Sequence, residues 1–297
     1  MSLVINHNLM AMNSARNLSN SYSNLATSTR RLSSGLRVGT AADDAAGLAI
    51  RELMRADIAS LNQGVRNAND AISMIQTADG ALGVIDEKLI RMKELAMQAS
   101  TGTYSSDQRL IIDSEYQAMA SEITRISNAT DFNGIHLLNG NLSGANSTHN
   151  GNGVVSTGPM KVHFGTSNDS SEDYYYVSIN SSTASALGVG MGATGADGKS
   201  ISTQALAQKA LAALDKAIIS KDKIRASLGA LQNRLENTIT NLSIQSQNTS
   251  AAESQISDVD VATEMTEFTR QQIKVQSAVA MLSQANNFGK LAMQLLG

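Results

Sequence analysis

Side chains able to do chemistry near neutral pH are few in this chain, and they stand far apart. The four histidines, His7, His136, His149 and His163, share no segment, and no His-Glu-x-x-His run occurs. Zinc sites need clustered ligands and general bases need a positioned partner, so this pattern supports neither. There is no Cys, which removes disulfides, thiolate nucleophiles and Cys-based zinc sites together. Gly80 and Gly83 are not followed by the Gly-Lys-Ser/Thr of a phosphate loop. Asn141 and Asn146 each open an Asn-x-Ser/Thr sequon, which an Asn- and Ser-rich chain produces by chance. The expectation is a chain that is not an enzyme, with no catalytic residue, no cofactor and no metal.

What the chain has in place of a reactive cluster is helical patterning. It carries 22 Gly but one Pro, Pro159, with no Trp, four Phe and six Tyr. Scarce aromatics point to thin layers such as paired helices, and a single Pro leaves long stretches free to be helical. Lys plus Arg number 23 against 26 Asp plus Glu, for a net charge of −3. No segment pairs a basic patch with aromatic residues, which argues against nucleic acid as a partner. No run approaches the roughly 20 apolar residues of a bilayer span, so membrane insertion is not expected. Nor does the first part of the chain hold the apolar core of a secretory signal, since Asn6, His7 and Asn8 interrupt the only candidate.

The elements follow from apolar spacing. Val4, Ala11, Leu18, Leu25 and Leu32 recur every seventh residue, with Ala15, Tyr22 and Leu36 in the intervening row, which predicts a helix with a heptad seam. A break is expected at Gly35 to Gly39, followed by a Thr40/Asp43 capping pair. From Asp44 to Ser100 a second helix carries Ile58, Leu61, Val65, Ala68, Ile72 and Ile75, then Leu82, Ile85, Leu89, Met92, Ala96 and Ala99. The phase of that stripe changes beside Asp79, Gly80 and Gly83, where either the stripe shifts or the helix bends slightly. Ser105 with Gln108 reads as a capping box for a third helix reaching Asn128.

Past Asn133-Gly134 and Asn139-Gly140 the composition turns to Gly, Asn, Ser and Thr. Lys161 to Gly165 and Tyr174 to Ile179 alternate like the strands of one hairpin, with exposed loops at 141–158 and 188–200. Helix returns near Ser202 with a seam from Ile224 through Gln245 to Val259, and a last segment presents Val261, Met265, Phe268, Val275, Val279 and Leu282. Helices at both ends and a hairpin in the middle predict a mainly α fold. It is a long antiparallel helical bundle or coiled coil with one small β-hairpin region. Three parts are expected: 1–42 with 258–297 as a terminal coiled coil, 43–140 with 201–257 as a core bundle, and 141–200 as a short variable region. The terminal segments are polar for an isolated pair, so other subunits are expected to complete their seams.

The chain resembles bacterial flagellin over nearly its whole length. The resemblance is carried by Ser33 to Arg37 (SSGLR) with Asp43 to Ile50 (DDAAGLAI), by Asp131 to Gly134 (DFNG), by Leu228 to Arg234 (LGALQNR) and by Ser283 to Asn287 (SQANN), in that order. Residues 141–200 leave little room for a variable outer domain, so it is similar to a short flagellin. The resemblance implies a structural subunit that polymerises into the extracellular flagellar filament for swimming. It further implies secretion through the type III flagellar export apparatus with a chaperone on the C-terminal segment, and neighbours in the filament cap and the hook-filament junction. The polymerisation seam would comprise Leu18, Leu25, Leu32, Leu36, Phe268, Val275, Val279 and Leu282. Finally, it implies that the flagellin-sensing Toll-like receptor contacts Arg91, Leu95 and Glu115, the first two sharing a helical face at i, i+4.

Overall fold

The computed structural model describes residues 7–143, 158–170, 172–190 and 198–296, with side chains described as far as residue 287. Val4, His149 and the sequon at Asn146 lie outside the described residues. The elements run α1 (Leu9–Ser34), α2 (Ala45–Ser100), α3 (Ser106–Ala129), β1 (Asp131–Phe132), β2 (Ile135–His136), β3 (Met160–His163), β4 (Tyr174–Val177), α4 (Gln204–Ser257) and α5 (Val261–Leu296). The fold is mainly α. Among the described residues there are two small antiparallel hairpins: β3–β4 stands where the spacing predicts one, and β1–β2, just after α3, is one it does not predict. Asn133 (φ 51°) and Gly134 (φ 79°) close β1–β2, the two-residue loop that positive φ at both central positions permits.

The chain divides into two compact units, 1–58 with 247–297 and 59–246. In the second unit, parts of α2 and α4 run antiparallel and join α3 around one apolar core. The buried row of α2 is Leu61, Gly64, Ala68, Ala71, Ile75, Ala78, Leu82, Ile85, Leu89, Met92, Ala96 and Ala99. It steps by three and four without interruption, so the phase change expected at Asp79 to Gly83 is absent. Val65 and Ile72 flank the row, because Gly64, Ala71 and Ala78 take the central positions. A side chain at Gly64 has no room: a Cβ there would lie 2.0 Å from the carbonyl oxygen of Phe164. In α4 the same periodicity buries Ser246, while the expected Gln245 is exposed.

Three ion pairs across α2 and α4 fix the register of that core. Asp79 accepts from Arg225 at 2.7 Å, Asp86 from Lys221 at 2.6 Å and Asp215 from Lys93 at 2.6 Å. Lys221 is 2 % exposed and also meets Asp222 at 2.7 Å, so its ammonium is buried among carboxylates. At the start of α3, Ser105 and Gln108 form the reciprocal capping box, at 3.3 and 3.0 Å. Tyr116 is fully buried, and its hydroxyl donates to the carbonyl of Gly198 at 2.6 Å. Burial, reinforced by the charge of Asp113, pushes this phenol well above its usual value.

The first unit pairs α1 with α5. Gly35, at φ 73°, ends α1 in a left-handed cap whose N–H returns to the carbonyl of Arg31 at 2.8 Å. Thr40 and Asp43 do not cap α2. They close a turn of their own, with the Thr40 hydroxyl donating to Asp43 at 2.8 Å, and Asp44 accepts from the Gly47 N–H at 3.0 Å in the capping role. The two helix breaks of this unit are joined. Leu36 bridges Asp258, Arg37 N–H donates to the Ser257 carbonyl at 2.7 Å, and Val259 N–H donates to the Gly35 carbonyl at 3.0 Å.

Candidate functional surfaces

The α1–α5 pair is a heptad seam of unusual content. Facing positions on α1 are Ala11, Ser14, Leu18, Ser21, Leu25, Ser28 and Leu32; on α5 they are Glu264, Phe268, Gln271, Val275, Ala278, Leu282 and Ala285, all at least half-buried. One of the two rows on α1 is therefore Ser throughout, and the row expected from Ala15 and Tyr22 faces outward. A Ser row contributes little apolar area to the seam. Arg31 Nε, Glu264 Oε1 and Gln271 Oε1 are buried without a protein hydrogen-bond partner. The nearest approach of Arg31 to Glu264 is 3.8 Å, longer than a hydrogen bond. Asn8 closes the far end, its side-chain amide donating to the Ala285 carbonyl at 2.9 Å.

Among the residues expected to form a polymerisation seam, Leu18, Leu25, Leu32, Phe268 and Leu282 are half-buried and Val275 is buried, all within this intrachain pair. Leu36 lies past the end of α1, in the bridge to Asp258. Val279 is exposed, and so are Leu9, Met10, Met12, Tyr22, Val261, Met265, Ile273 and Met281. Spacing alone could not separate the two sets, because Leu at one heptad row reads the same whether its partner is α5 or another molecule. The signal was in the residues between: Ser14, Ser21 and Ser28 recur every seventh position, a period that a solvated face has no reason to keep.

A second surface lies on α2 and α3. Arg91 Nε and Nη2 donate to one oxygen of Glu115 at 3.0 and 2.9 Å, and Nη1 donates to Glu94 at 2.9 Å. Hydrogen bonds donated to Glu94 first and to Glu115 second hold the Arg91 proton more firmly than usual. Arg91 and Glu115 are thus brought together on the surface, but Leu95 is not. It is 2 % exposed and belongs to the core, because the position four residues on from Arg91 drifts round the helix into the row of Met92, Ala96 and Ala99. The expected shared face is corrected to an ion pair standing over a buried Leu95.

Beside it, Ile90, Lys93, Glu94, Met97, Gln98 and Tyr104 line a shallow groove, and Leu110 and Ile111 are exposed on α3. Leu110, Ile111 and Ile112 are consecutive on a helix and cannot all face inward, which is the sequence signal for this apolar surface. A polar cleft of about 410 Å³ lies between the β3–β4 hairpin and α4, with Glu172, Asp173 and Asn241 among its walls. His163 is engaged there, its Nδ1 2.9 Å from the Asp173 carbonyl oxygen. Among the described residues no group of three His, Cys, Asp or Glu is placed to hold a metal, and no described helix is long and apolar enough to cross a membrane.

Comparison with known proteins gives the same reading from both ends of the chain. Residues 5–143 match the family described as the bacterial flagellin N-terminal helical region, and residues 211–296 match the bacterial flagellin C-terminal helical region. The flagellin of Bacillus subtilis (strain 168) is 40% identical over 315 residues, covering 98% of this chain and 99% of that protein. The flagellar filament 33 kDa core protein of Treponema phagedenis is 40% identical over 294 residues, covering 99% of this chain and 100% of its own. The crystal structure of Bacillus cereus flagellin superposes with a TM-score of 0.47 at 28% identity, over 63% of this chain and 94% of that one.

Proposed function

The chain belongs to the bacterial flagellin family, and from that membership we propose that it is a structural subunit that polymerises, through its terminal unit, into the extracellular flagellar filament used for swimming. The observation that carries this reading is the apolar surface of α1 and α5. Leu9, Met10, Met12, Tyr22, Val261, Met265, Ile273, Val279 and Met281 stand in water around a seam about a third of whose positions are polar. Exposed apolar side chains in this number mark a surface that another protein covers, and neighbouring copies of the same terminal unit are the occupants. Residues 1–42 and 258–297 act as the polymerisation part, with 43–140 and 201–257 as its rigid support and 141–200 as the variable outer segment. The role is mechanical and involves no catalytic step.

Electron microscopy of the purified chain after salting-out tests the proposal. Long helical tubes are expected, and persistent monomer at high concentration would overturn it. Leu282→Asp places a carboxylate in the seam without a partner; it should abolish the tubes while circular dichroism still reports a folded helical core. Family membership extends the proposal to secretion by the flagellar export apparatus, to a chaperone on the C-terminal segment, and to the filament cap and hook-filament junction proteins as neighbours.

A second reading concerns recognition of the monomer by the flagellin-sensing Toll-like receptor, with Arg91 and Glu115 as contacts and Leu95 supporting them from below. It is favoured by the exposure of an Arg–Glu pair held in place by its own hydrogen bonds, since an arginine guanidinium suits interface contacts. Arg91→Ala and Glu115→Ala should each weaken signalling in receptor-reporter cells, and unchanged signalling from both would remove these residues from the contact.

A further inference from the structure

With 13 Met and no Cys, the chain carries thioethers as its only readily oxidised sulfur. Their placement is uneven. Met10 (51 % exposed), Met12 (64 %), Met265 (47 %) and Met281 (63 %) stand out from α1 and α5; on α2 Met97 is 55 % exposed, while Met74 and Met92 in the helical core are 1 % and 0 % exposed. Exposure decides which thioethers a dissolved oxidant reaches first. Taking Leu18 and Leu25 as heptad position a on α1, Met10 falls at g and Met12 at b. On α5, with Phe268 and Val275 at a, Met265 falls at e and Met281 at g. In an antiparallel pair the two g positions share one edge. The bond from Asn8 to the Ala285 carbonyl sets Met10 and Met281 at the same end of that edge. None of the four fills the intrachain seam, so changing them leaves the α1–α5 pair intact.

We infer that Met10, Met12 and Met281 at one end of the α1–α5 pair, with Met265 as a separate exposed site toward its other end, are oxidant-sensitive positions that a hydroperoxide converts to sulfoxides in the free chain, which then blocks polymerisation; the inference rests on the assembly role proposed above. With hydrogen peroxide, the sulfur lone pair attacks one peroxide oxygen and the O–O bond breaks. That oxygen remains on sulfur as S=O, sulfur is oxidised by two electrons, and the second oxygen leaves as water with both peroxide protons. The change turns an apolar, adaptable side chain into a polar acceptor. A neighbouring subunit that covers it must then desolvate an oxygen without supplying a donor. Polymerised chains, with these positions covered, resist the same oxidant.

The test treats free chain and preformed filaments with dilute hydrogen peroxide, maps sulfoxides by peptide mass spectrometry and measures the lowest concentration that polymerises. In the free chain the four methionines should oxidise several-fold faster than Met74 and Met92. In filaments they should be protected. The oxidised chain should need about tenfold or higher concentration to assemble, a loss of about 1.4 kcal/mol per subunit. A sulfoxide reductase should restore assembly. The quadruple variant M10L/M12L/M265L/M281L keeps the apolar surface without the sulfur and should polymerise equally well before and after peroxide. Oxidised parent that assembles like untreated chain would overturn the inference while leaving the assembly role standing. Equal loss of assembly in the quadruple variant would also overturn it. Failure of untreated chain to polymerise would instead remove the assembly role, and the inference with it.

Discussion

In α2 the buried row from Leu61 to Ala99 keeps its three–four rhythm with apolar side chains and one Gly, and every large member of it lies inside a core closed by α3 and α4. In α1 the rhythm is equally strict, but Leu18, Leu25 and Leu32 alternate with Ser14, Ser21 and Ser28 and meet Glu264 and Gln271 on α5. Identical periodicity therefore serves two purposes. The first seam fills itself and holds the unit of residues 59–246 together. The second leaves about a third of its positions polar and further apolar side chains exposed on its rim, which suits a surface completed by neighbours.

Truncating the two seams alike gives the largest contrast. Leu89→Ala opens a cavity in a closed core and should cost about 2–5 kcal/mol, read as a lowered midpoint in thermal or urea unfolding. Leu25→Ala, at a half-buried position, should cost no more than about 1 kcal/mol by the same measurement, while raising the concentration needed to polymerise. Equal destabilisation by the two would erase the distinction drawn here.

Tyr116 sharpens the comparison by its pH dependence. Its pKa is raised in the folded chain, so its stabilising contribution is complete below the unfolded value, near 10, and is lost as pH rises toward the folded value. Tyr116→Phe removes one of two donors to the Gly198 carbonyl, the Gly190 N–H remaining at 2.9 Å, and should cost about 1 kcal/mol at neutral pH. It should also flatten the loss of stability between roughly pH 10 and 12, followed by circular dichroism. An unchanged alkaline limb would mean that another group controls it.

Smaller effects are expected from the surface charges. Arg225→Ala breaks a partly exposed pair with Asp79 and should cost no more than about 1 kcal/mol in the same unfolding measurement. Asp260→Asn should do least. The Thr263 hydroxyl and the Ala262 N–H hold the Asp260 carboxylate below its usual pKa. Its contribution is therefore present above the unfolded value and fades as pH falls through the folded one. Acid titration of α5 helicity, parent against variant, should differ only below about pH 4.

Helix existence was legible in the sequence wherever bulky side chains set the period: α2, α3 and α4 stand close to where Leu, Ile and Met place them, and the Ser105/Gln108 capping box forms as its spacing predicts. What could not be read was occupancy by small residues. Gly64 holds a central position because the Phe164 backbone comes too close for any side chain, a fact of tertiary packing, and Ala71 and Ala78 continue the same row. The same blind spot hid the Ser row of α1. Leu95 shows the reverse error: four residues from Arg91 is a neighbouring position on the helix, but the face turns inward there, and only the third helix against it reveals that. The β1–β2 hairpin had its signal in Asn133-Gly134, which reads equally well as a loop when the strands flanking it are only two residues long.

Two α-helices as polar as α1 and α5 would scarcely find each other as separate peptides at micromolar concentration. The bridge between their breaks changes that problem. Arg37 donates to the carbonyls of Ser257 and Ile256, the latter 219 residues away in sequence, both at 2.7 Å, so the C-terminal end of α1 and the N-terminal end of α5 are held side by side. Pairing then becomes intramolecular, at an effective concentration in the millimolar range for a short tether. A seam can thus be too weak to dimerise with strangers and still close reliably on its own partner, in one register, ready to be covered.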